Sequence, residues 1–280
     1  VSELESAEFI RKIIDNLDWN HPLRRRKMRY YDVQKLRRFF DELKKEGVDD
    51  TEYKLRLEAF EASIAENPEN LYKIGEQKGE VKPAVYNKLM DPLNRSYEAS
   101  KLLPEYQNML KDNNRFDFQD MLIFVHEAFA MHEDLLLGYQ EQFQYLLVDE
   151  YQDTNGIQNE ILFQLASYWD QPNLFAVGDD DQSIFRFQGA NLDNIKNFHT
   201  TFLAPHGEAF EKERIIQLQK NYRSSQRILN DADTLIRHNR YRLAQKDFPN
   251  PLKASSKVAN YDQDITCLLY TSPSPRDTMS

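Results

Sequence analysis

The sequence is poor in cysteine and has no long apolar run. Its only cysteine among 280 residues is Cys267, so no disulfide can form within the chain, which suits a reducing compartment such as the cytoplasm. No run approaches the roughly 18 uncharged apolar residues of a membrane span, and no basic segment precedes an apolar one near Val1. We therefore expect neither a membrane span nor a signal peptide.

Positive charge is also scarce, because 36 Lys and Arg residues face 46 Asp and Glu residues and leave a net charge of −10. Such an excess argues against a protein that coats nucleic acid by bulk attraction. Residues 141–181 carry nine acidic and no basic residues, whereas residues 211–257 carry eleven basic and five acidic ones. The two blocks, of net charge −9 and +6, are compatible with a bound cation, but on charge alone an uneven surface is the simpler explanation.

Apolar residues recur at helical spacing in the first part of the chain. This spacing predicts helices over residues 4–17, 33–43 and 55–64 and a longer helical stretch over 89–110 that Pro92 and Pro104 interrupt. Gly47 is suited to end the second helix. Residues 1–115 are therefore expected to form a mainly helical region.

Short apolar runs alternate with helical patterns after about residue 115. The runs cover residues 145–148, 174–177 and 215–218, and the helix between residues 116 and 130 has Asp117 as its expected cap. Strands that alternate with helices indicate an α/β fold with a parallel sheet covered on both faces. Polar clusters follow all three runs, at the carboxyl ends of strands, where ligands of such sheets gather.

The first polar cluster is the carboxylate pair Asp149-Glu150, which directly follows the apolar run 145–148. One carboxylate of such a pair can hold Mg²⁺ while the other polarises a water for attack on a phosphoryl group. Because Asp-Glu pairs are also common on protein surfaces, the pair alone supports a catalytic and a surface interpretation about equally.

The second and third clusters contain candidate contacts for phosphate and nucleic acid. Gln182 offers an amide that could sense a phosphate oxygen, and Phe187 lies between Arg186 and Gln188, an arrangement that suits stacking on single-stranded bases. Core packing is the alternative for Phe187. In the third cluster, Tyr222 could stack on a purine and Arg223 could reach a phosphate.

Taken together and in this order, the three clusters resemble motifs II, III and IV of UvrD/Rep/PcrA-type superfamily 1 DNA helicases. The runs that carry the resemblance are Asp149-Glu-Tyr-Gln-Asp-Thr-Asn155, Val177-Gly-Asp-Asp-Asp-Gln-Ser-Ile184 and Asn221-Tyr-Arg-Ser-Ser225. The resemblance is strong over about residues 116–240. It implies a RecA-like P-loop NTPase sheet, with residues 1–115 as a helical 1B-like accessory region, 116–205 as the carboxyl half of the first motor domain and 206–261 as the start of the second.

The resemblance also implies an ATP site. Asp149 and Glu150 would hold Mg²⁺, and Glu150 would activate the hydrolytic water. Gln152 and Gln182 would contact the γ-phosphate region of ATP and relay its state to the DNA-binding residues.

Further residues would bind adenine and DNA. Tyr222 would stack on the adenine of ATP, and Arg223 would act as the arginine finger. Phe187, often Trp in this family, would stack on a base of single-stranded DNA, with Arg186 and Gln188 beside it. Gln188 stands where many members have Arg. DNA, both single-stranded and at a duplex junction, is the implied partner.

The sequence lacks one part of this machinery. No Gly-x-x-x-x-Gly-Lys-Ser/Thr occurs, so the phosphate-binding P-loop is absent. We therefore expect an internal fragment of an ATP-dependent 3′-to-5′ DNA helicase that is inactive alone. Two alternatives stay open: the helicase subunit of a helicase–nuclease complex, and a non-catalytic module that binds single-stranded DNA.

Two further segments stand out. The basic run Arg24-Arg-Arg-Lys-Met-Arg29 with Tyr30 and Tyr31 is a candidate contact for duplex DNA, although a solvated helix start is the commoner meaning of such a run. Residues 262–280 have no clear helical or strand period and are expected to be a disordered tail. Within this tail, residues 267–277 resemble translated adaptor sequence, so the tail is expected to be non-native and Cys267 is given no role.

Overall fold

The computed structural model describes residues 1–74, 77–182, 192–238 and 252–255. The chain divides into two compact units, one made of Val1–Val177 with Phe185–Asn194 and the other of Gly178–Ile184 with Ile195–Ser280. The predicted tail 262–280, with Cys267, lies outside the described residues. The division into residues 1–115, 116–205, 206–261 and 262–280 that the sequence predicts stays a prediction.

The first unit is mainly helical. Its helices and strands are α1 Glu3–Asn16, α2 Val33–Glu46, α3 Asp50–Ile64, α4 Pro83–Ser100, α5 Leu103–Asp112, α6 Phe118–Met131, α7 Glu133–Gln142, β1 Leu146–Val148, α8 Gly156–Ala166 and β2 Leu174–Ala176. The helices predicted before residue 115 are confirmed, with Pro92 inside α4 and Pro104 in the first turn of α5. Helix α7 was not predicted.

The second unit is described in less of its length. Helix α9, Leu192–Phe198, starts in the first unit and ends in the second, and α10 Glu208–Arg214, β3 Lys220–Asn221, α11 Gln226–Ile236 and β4 Lys253–Ala254 follow. The strand predicted at residues 215–218 is wrong: that stretch has no strand pairing, and β3 begins at Lys220, closer to the polar cluster.

Local signals in the sequence account for the helix ends. Ser2 with Glu5 forms a reciprocal capping box at α1, and Asp117 with Asp120 does the same at α6, as expected for Asp117. Gly47 ends α2 with φ 64°, a left-handed conformation that glycine adopts without a steric penalty. Ser225 precedes α11, but its side chain makes no capping hydrogen bond.

The principal core belongs to α1, α2 and α5. Their apolar faces bury one contiguous cluster that includes Ile10, Ile14, Phe40, Tyr106 and Leu110, and a smaller cluster joins α3 to α4. Burial at helical spacing on three helices explains why periodicity predicted this region well.

A buried ion pair joins this helical core to the start of α6. The Lys44 side chain, fully buried in α2, places Nζ 2.7 Å from Asp117 Oδ2 and 2.6 Å from Asp120 Oδ1. Both carboxylates also cap the first turn of α6, where the helix dipole favours negative charge. Lys44 thus meets a preformed anionic site.

Two small parallel sheets are present among the described residues. Strand β1 pairs with β2 in the register Leu146–Leu174, Leu147–Phe175 and Val148–Ala176, and β3 pairs with β4. These sheets, together with the helices, confirm an α/β fold in its coarse form. The expected cover on both faces is not seen within the described ranges, because Leu147 and Phe175 are 76% and 55% exposed.

Backbones meet closely where α8 begins. A Cβ placed on Gly156 would lie 2.8 Å from the carbonyl oxygen of Glu46, at the end of α2. Only glycine fits there without moving the α2 backbone. Among the residues that the structure describes, no helix is long and apolar enough to cross a membrane.

Candidate nucleotide site

The carboxylate pair lies where the sequence placed it, immediately after β1. Val177 N donates to Val148 O at 2.8 Å, and Tyr151 N donates to Val177 O at 2.8 Å, so the turn after β1 is fixed to the end of β2. Asp149 and Glu150 are both exposed at this edge. The parallel register therefore presents two carboxylates at the carboxyl end of the sheet.

Glu150 has an unusual backbone conformation. Its φ of 50° and ψ of 46° put it in the left-handed region, which is rare for a residue other than glycine. Such conformations cost on the order of 1–3 kcal/mol and cluster at functional sites. The turn therefore keeps Glu150 in a disfavoured conformation directly beside Asp149.

Gln152 holds the Glu150 side chain. Gln152 Nε2 donates to Glu150 Oε2 at 2.6 Å, while the Glu150 backbone N–H donates to Asp149 Oδ1 at 3.0 Å. Gln152 is only 2% exposed, so its amide approaches the exposed carboxylate from the buried side. The structure thus brings Asp149, Glu150 and Gln152 together at one edge of the sheet.

A buried tyrosine anchors this turn. Tyr151 Oη donates to Asn159 Oδ1 in α8, and the Thr154 hydroxyl donates to Tyr151 O at 2.7 Å. Burial raises the pKa of the Tyr151 hydroxyl, so it stays a neutral donor. Asn194 Nδ2 donates to Thr154 O at 2.8 Å and fixes the far end of the turn.

Helix α8 begins directly after the turn and is capped by it. Asn155 Oδ1 accepts from Gln158 N at 3.0 Å, and Gln158 Oε1 accepts from Asn155 N at 3.1 Å, which completes a reciprocal capping box. Tyr151, Thr154 and Asn155 therefore fix the shape of the turn, whereas Asp149, Glu150 and Asp153 are exposed.

In the second unit, Gln182 pairs with a carboxylate of its own cluster. Gln182 Nε2 donates to Asp179 Oδ2 at 2.7 Å, and Asp179 Oδ1 accepts from Asp181 N at 3.1 Å. Asp179 thereby fixes the short helical turn Asp180–Gln182. Sequence reasoning gave Asp179 no specific partner, because a run of three aspartates does not show which of them faces the glutamine.

Tyr222 and Arg223 are exposed at the end of β3. Asn221 Oδ1 accepts from the backbone N–H groups of Arg223 at 2.9 Å and Ser224 at 2.7 Å, an Asx turn that separates the strand from α11. The Tyr222 ring is 70% exposed and so is open to a stacking ligand. The candidate DNA-binding residues Arg186, Phe187 and Gln188 lie outside the described residues.

Asp149 and Glu150 are the candidate metal ligands. No group of three or more His, Cys, Asp or Glu residues able to hold a metal ion occurs in the described ranges. Mg²⁺ in nucleotide sites is held by one or two carboxylates and completed by phosphate and water oxygens. The adjacent, exposed carboxylates of Asp149 and Glu150 fit this mode of binding and do not fit an all-protein cage.

Comparison with known proteins agrees with the geometry. Residues 6–203 match the model of the UvrD/REP helicase N-terminal domain. The chain is 40% identical over 148 residues to the ATP-dependent DNA helicase PcrA of Leuconostoc citreum, which is 53% of this chain and 18% of that protein.

Two further relatives show the same pattern. The putative ATP-dependent DNA helicase YjcD of Bacillus subtilis is 37% identical over 156 residues, covering 55% of this chain and 19% of that protein. A probable DNA helicase II homolog of Mycoplasma capricolum is 34% identical over 196 residues, covering 67% and 24%. The matched segment spans about a fifth of the length of these relatives.

Proposed function

Because the chain belongs to the UvrD/REP helicase family, we propose that it is part of an ATP-dependent DNA helicase. This helicase would couple Mg-ATP hydrolysis to 3′-to-5′ movement along single-stranded DNA and to duplex unwinding. The observation that carries the proposal is the exposed Asp149-Glu150 pair at the end of β1, with Gln152 bound to Glu150 at 2.6 Å. The printed names of the relatives, which include ATP-dependent DNA helicases, support it.

Asp149 and Glu150 are assigned to Mg²⁺, and Glu150 also to the attacking water. Bound Mg²⁺ would supply positive charge to the phosphate oxygens of ATP. Glu150 would accept the proton of the water, because Gln152 holds one of its carboxylate oxygens and so orients the other. Gln152, buried beneath the pair, would report the state of the γ-phosphate through that same hydrogen bond.

The remaining nucleotide contacts are assigned to the second unit. Gln182 would exchange its hydrogen bond to Asp179 for a γ-phosphate oxygen. Tyr222 would stack on adenine, and Arg223 would neutralise charge on the transferred phosphoryl group as an arginine finger. Exposure of both side chains after the Asx turn at Asn221 supports these roles.

The rest of the assignment follows the family. Residues 1–115 would form the 1B-like accessory region, 116–205 the carboxyl half of a RecA-like domain and 206–261 the start of a second one. Arg186, Phe187 and Gln188 would contact single-stranded DNA, an assignment that depends on resemblance alone. A reducing compartment such as the cytoplasm is proposed because cysteine is absent before residue 267.

The proposal is tested by Glu150→Gln in a full-length helicase that carries this chain. We expect ATP to bind normally and DNA-stimulated turnover to fall by about 10²- to 10⁴-fold, since a positioned general base contributes about that much. Glu160→Gln is the matched control, because it removes an exposed carboxylate from α8. Steady-state ATPase assays and binding of a fluorescent ATP analogue make the measurement, and near-normal hydrolysis by Glu150→Gln would falsify the assigned base.

A further inference from the structure

The turn between the carboxylate pair and α8 ends in Asn155-Gly156, the only Asn-Gly dipeptide among the 280 residues. Glycine has no side chain to shield its backbone nitrogen, so that nitrogen can attack the side chain of a preceding asparagine more easily than in other sequences. Neither residue contacts ATP in the proposed nucleotide site. A covalent change at Asn155 would nevertheless alter the turn that holds Glu150.

The reaction open to this dipeptide is loss of ammonia from the Asn155 side chain. The Gly156 nitrogen bonds to Asn155 Cγ, the bond from Cγ to the amide nitrogen breaks, and the proton of the Gly156 N–H leaves with the ammonia. Water then opens the resulting five-membered succinimide ring and leaves either aspartate or isoaspartate. The chain and water supply every atom, and nothing is oxidised or reduced.

The native turn keeps the reacting atoms apart. Ring closure requires the bond between the Asn155 carbonyl carbon and the Gly156 nitrogen to nearly eclipse the Asn155 Cα–Cβ bond, whereas the ψ of 172° at Asn155 is extended. Asn155 is also only 6% exposed, which limits the access of water. The peptide group that follows Asn155 must therefore rotate out of its native orientation before the ring can form.

Hydrogen bonds on both sides of the reacting bond oppose this rotation. Asn155 Oδ1 accepts from Gln158 N at 3.0 Å, and Asn155 O accepts from Asn159 N at 3.1 Å. Gln158 Oε1 accepts from Asn155 N at 3.1 Å, and Asn194 Nδ2 donates to Thr154 O at 2.8 Å. Since rotation breaks the capping box, the reaction requires the start of α8 to open.

We propose that Asn155 is a site of spontaneous deamidation and that the native turn at the start of α8 suppresses the reaction. Deamidation then proceeds only from molecules in which this turn has opened. The reaction needs no nucleotide and no metal ion.

The two products should differ in their effect on the fold. Aspartate caps helices about as well as asparagine does, so its formation should preserve α8. Isoaspartate adds a methylene group to the main chain and displaces Gly156, whose backbone already lies close to that of Glu46. Isoaspartate should therefore disrupt the turn irreversibly.

The test follows Asn155 in the 280-residue chain by peptide mapping with mass spectrometry at mildly alkaline pH. Mass separates the carboxyl products from the amide, and an isoaspartate-specific methyltransferase distinguishes isoaspartate from aspartate. Each chain is incubated folded and in guanidinium chloride, and the ratio of the two rates measures the protection. Gln158→Ala removes one half of the capping box, and Gln142→Ala, which changes an exposed glutamine at the end of α7, is the matched control. Circular dichroism verifies that the variants fold.

We expect Asn155 in the folded original chain to deamidate at least about tenfold more slowly than in guanidinium chloride, because a structured turn opens rarely. Gln158→Ala should reduce this protection by about 2- to 10-fold, whereas Gln142→Ala should leave it unchanged. Equal rates in the folded and unfolded chain would overturn the proposal, as would equal protection in the two variants or no deamidation in guanidinium chloride. If Gln158→Ala does not fold, the two rates of the original chain still test the proposal.

A second measurement tests the assigned effect of the products. A chain that has aged in guanidinium chloride and been refolded should contain an isoaspartate fraction that unfolds at a lower denaturant concentration than the Asn155→Asp variant. Equal unfolding midpoints would show that the turn tolerates isoaspartate and would overturn this part of the proposal. Because no nucleotide is present, a failed Glu150 test leaves both results interpretable.

Discussion

Helices α1, α2 and α5 share a buried apolar core, whereas the strands β1 and β2 beside the carboxylate pair each expose a large apolar side chain. Phe40 in α2 is 1% exposed and belongs to a core whose members, among the described residues, all come from the first 110 positions. Phe175 in β2 and Leu147 in β1 are more than half exposed. The helical core is therefore covered by its own side chains. Leu147 and Phe175 are not covered by any of the described residues to a comparable degree.

The same difference extends to the helices beside the sheet. Met121 and Val125 of α6 are exposed, and Phe129 is the one apolar side chain of this helix that is buried. A groove of about 340 Å³ opens there, lined by apolar side chains of α6, α7 and α8, among them Val125, Phe129 and Tyr139. Helices α6, α7 and α8 therefore carry more apolar side chains than their contacts with other described residues bury. Its relatives are about five times as long as the matched segment.

The largest expected effect is a difference in unfolding free energy between two matched substitutions, one in each region. Phe40→Ala should lower the free energy of unfolding by about 3–5 kcal/mol because it opens a cavity in a closed core. Phe175→Ala should cost much less in this chain, about 1 kcal/mol or below, since more than half of Phe175 is already exposed. Urea unfolding of the two variants measures both values.

The same two substitutions can be compared in a longer protein. If a further layer covers the sheet in a full-length helicase, Phe175→Ala should there approach the cost of Phe40→Ala. Equal costs already in the 280-residue chain would show that β1 and β2 are covered and would remove the contrast between the regions.

A second prediction concerns the ion pair that joins the regions. Lys44→Ala should destabilise the chain by about 3 kcal/mol, because it leaves Asp117 and Asp120 without their cation in a buried setting. The two carboxylates still accept backbone N–H bonds at α6, which keeps the loss at the lower end of the range for buried pairs. The exposed pair of Lys54 with Glu58 provides the control, and Lys54→Ala should cost less than about 1 kcal/mol. A loss for Lys44→Ala as small as the control's would show that the junction contributes little.

The smallest effect concerns pH and the contact of α1 with Arg115. The Ser2 backbone N–H, and next the Arg115 side chain, lower the pKa of the Glu5 carboxyl to about 2 from its ordinary 4.5. A carboxyl whose pKa is lower in the folded state stabilises above its unfolded pKa, and this contribution disappears as the pH falls from 4.5 to 2.

Glu5→Gln should therefore be less stable than the original chain above pH 4.5, and the difference should shrink toward pH 2. Glu8→Gln, also an exposed carboxylate of α1, should show no such convergence. Chemical unfolding at a series of pH values measures the difference in unfolding free energy between the variant and the original chain. A difference that stays constant with pH would show that the charge of Glu5 is not responsible.

Sequence reasoning worked where a local rule decides the structure. Helical periodicity placed α1 and α2, Gly47 and Asp117 marked helix ends, and an apolar run located Asp149 and Glu150 at the end of a strand. These features depend on neighbours within a few positions, which a sequence shows directly.

Sequence reasoning failed where residues far apart in the chain determine the local structure. The apolar run 215–218 looks like a strand but forms no pair, because pairing partners are set by tertiary structure. Helix α7 has its leucines in one contiguous run, 135–137, which hides the helical period. Lys44 could have been suspected, since it adjoins Leu43 on the buried stripe of α2, but its two partners lie more than seventy positions away.

The close approach at Gly156 limits how this region can vary. Any side chain at that position would meet the Glu46 backbone within 3.1 Å, and backbone cannot turn aside as a flexible side chain can. The end of α2 therefore requires glycine at position 156, directly after the capping residue Asn155. A substitution of Gly156 therefore requires a shift of α2 as well, so this position near the carboxylate pair tolerates little change.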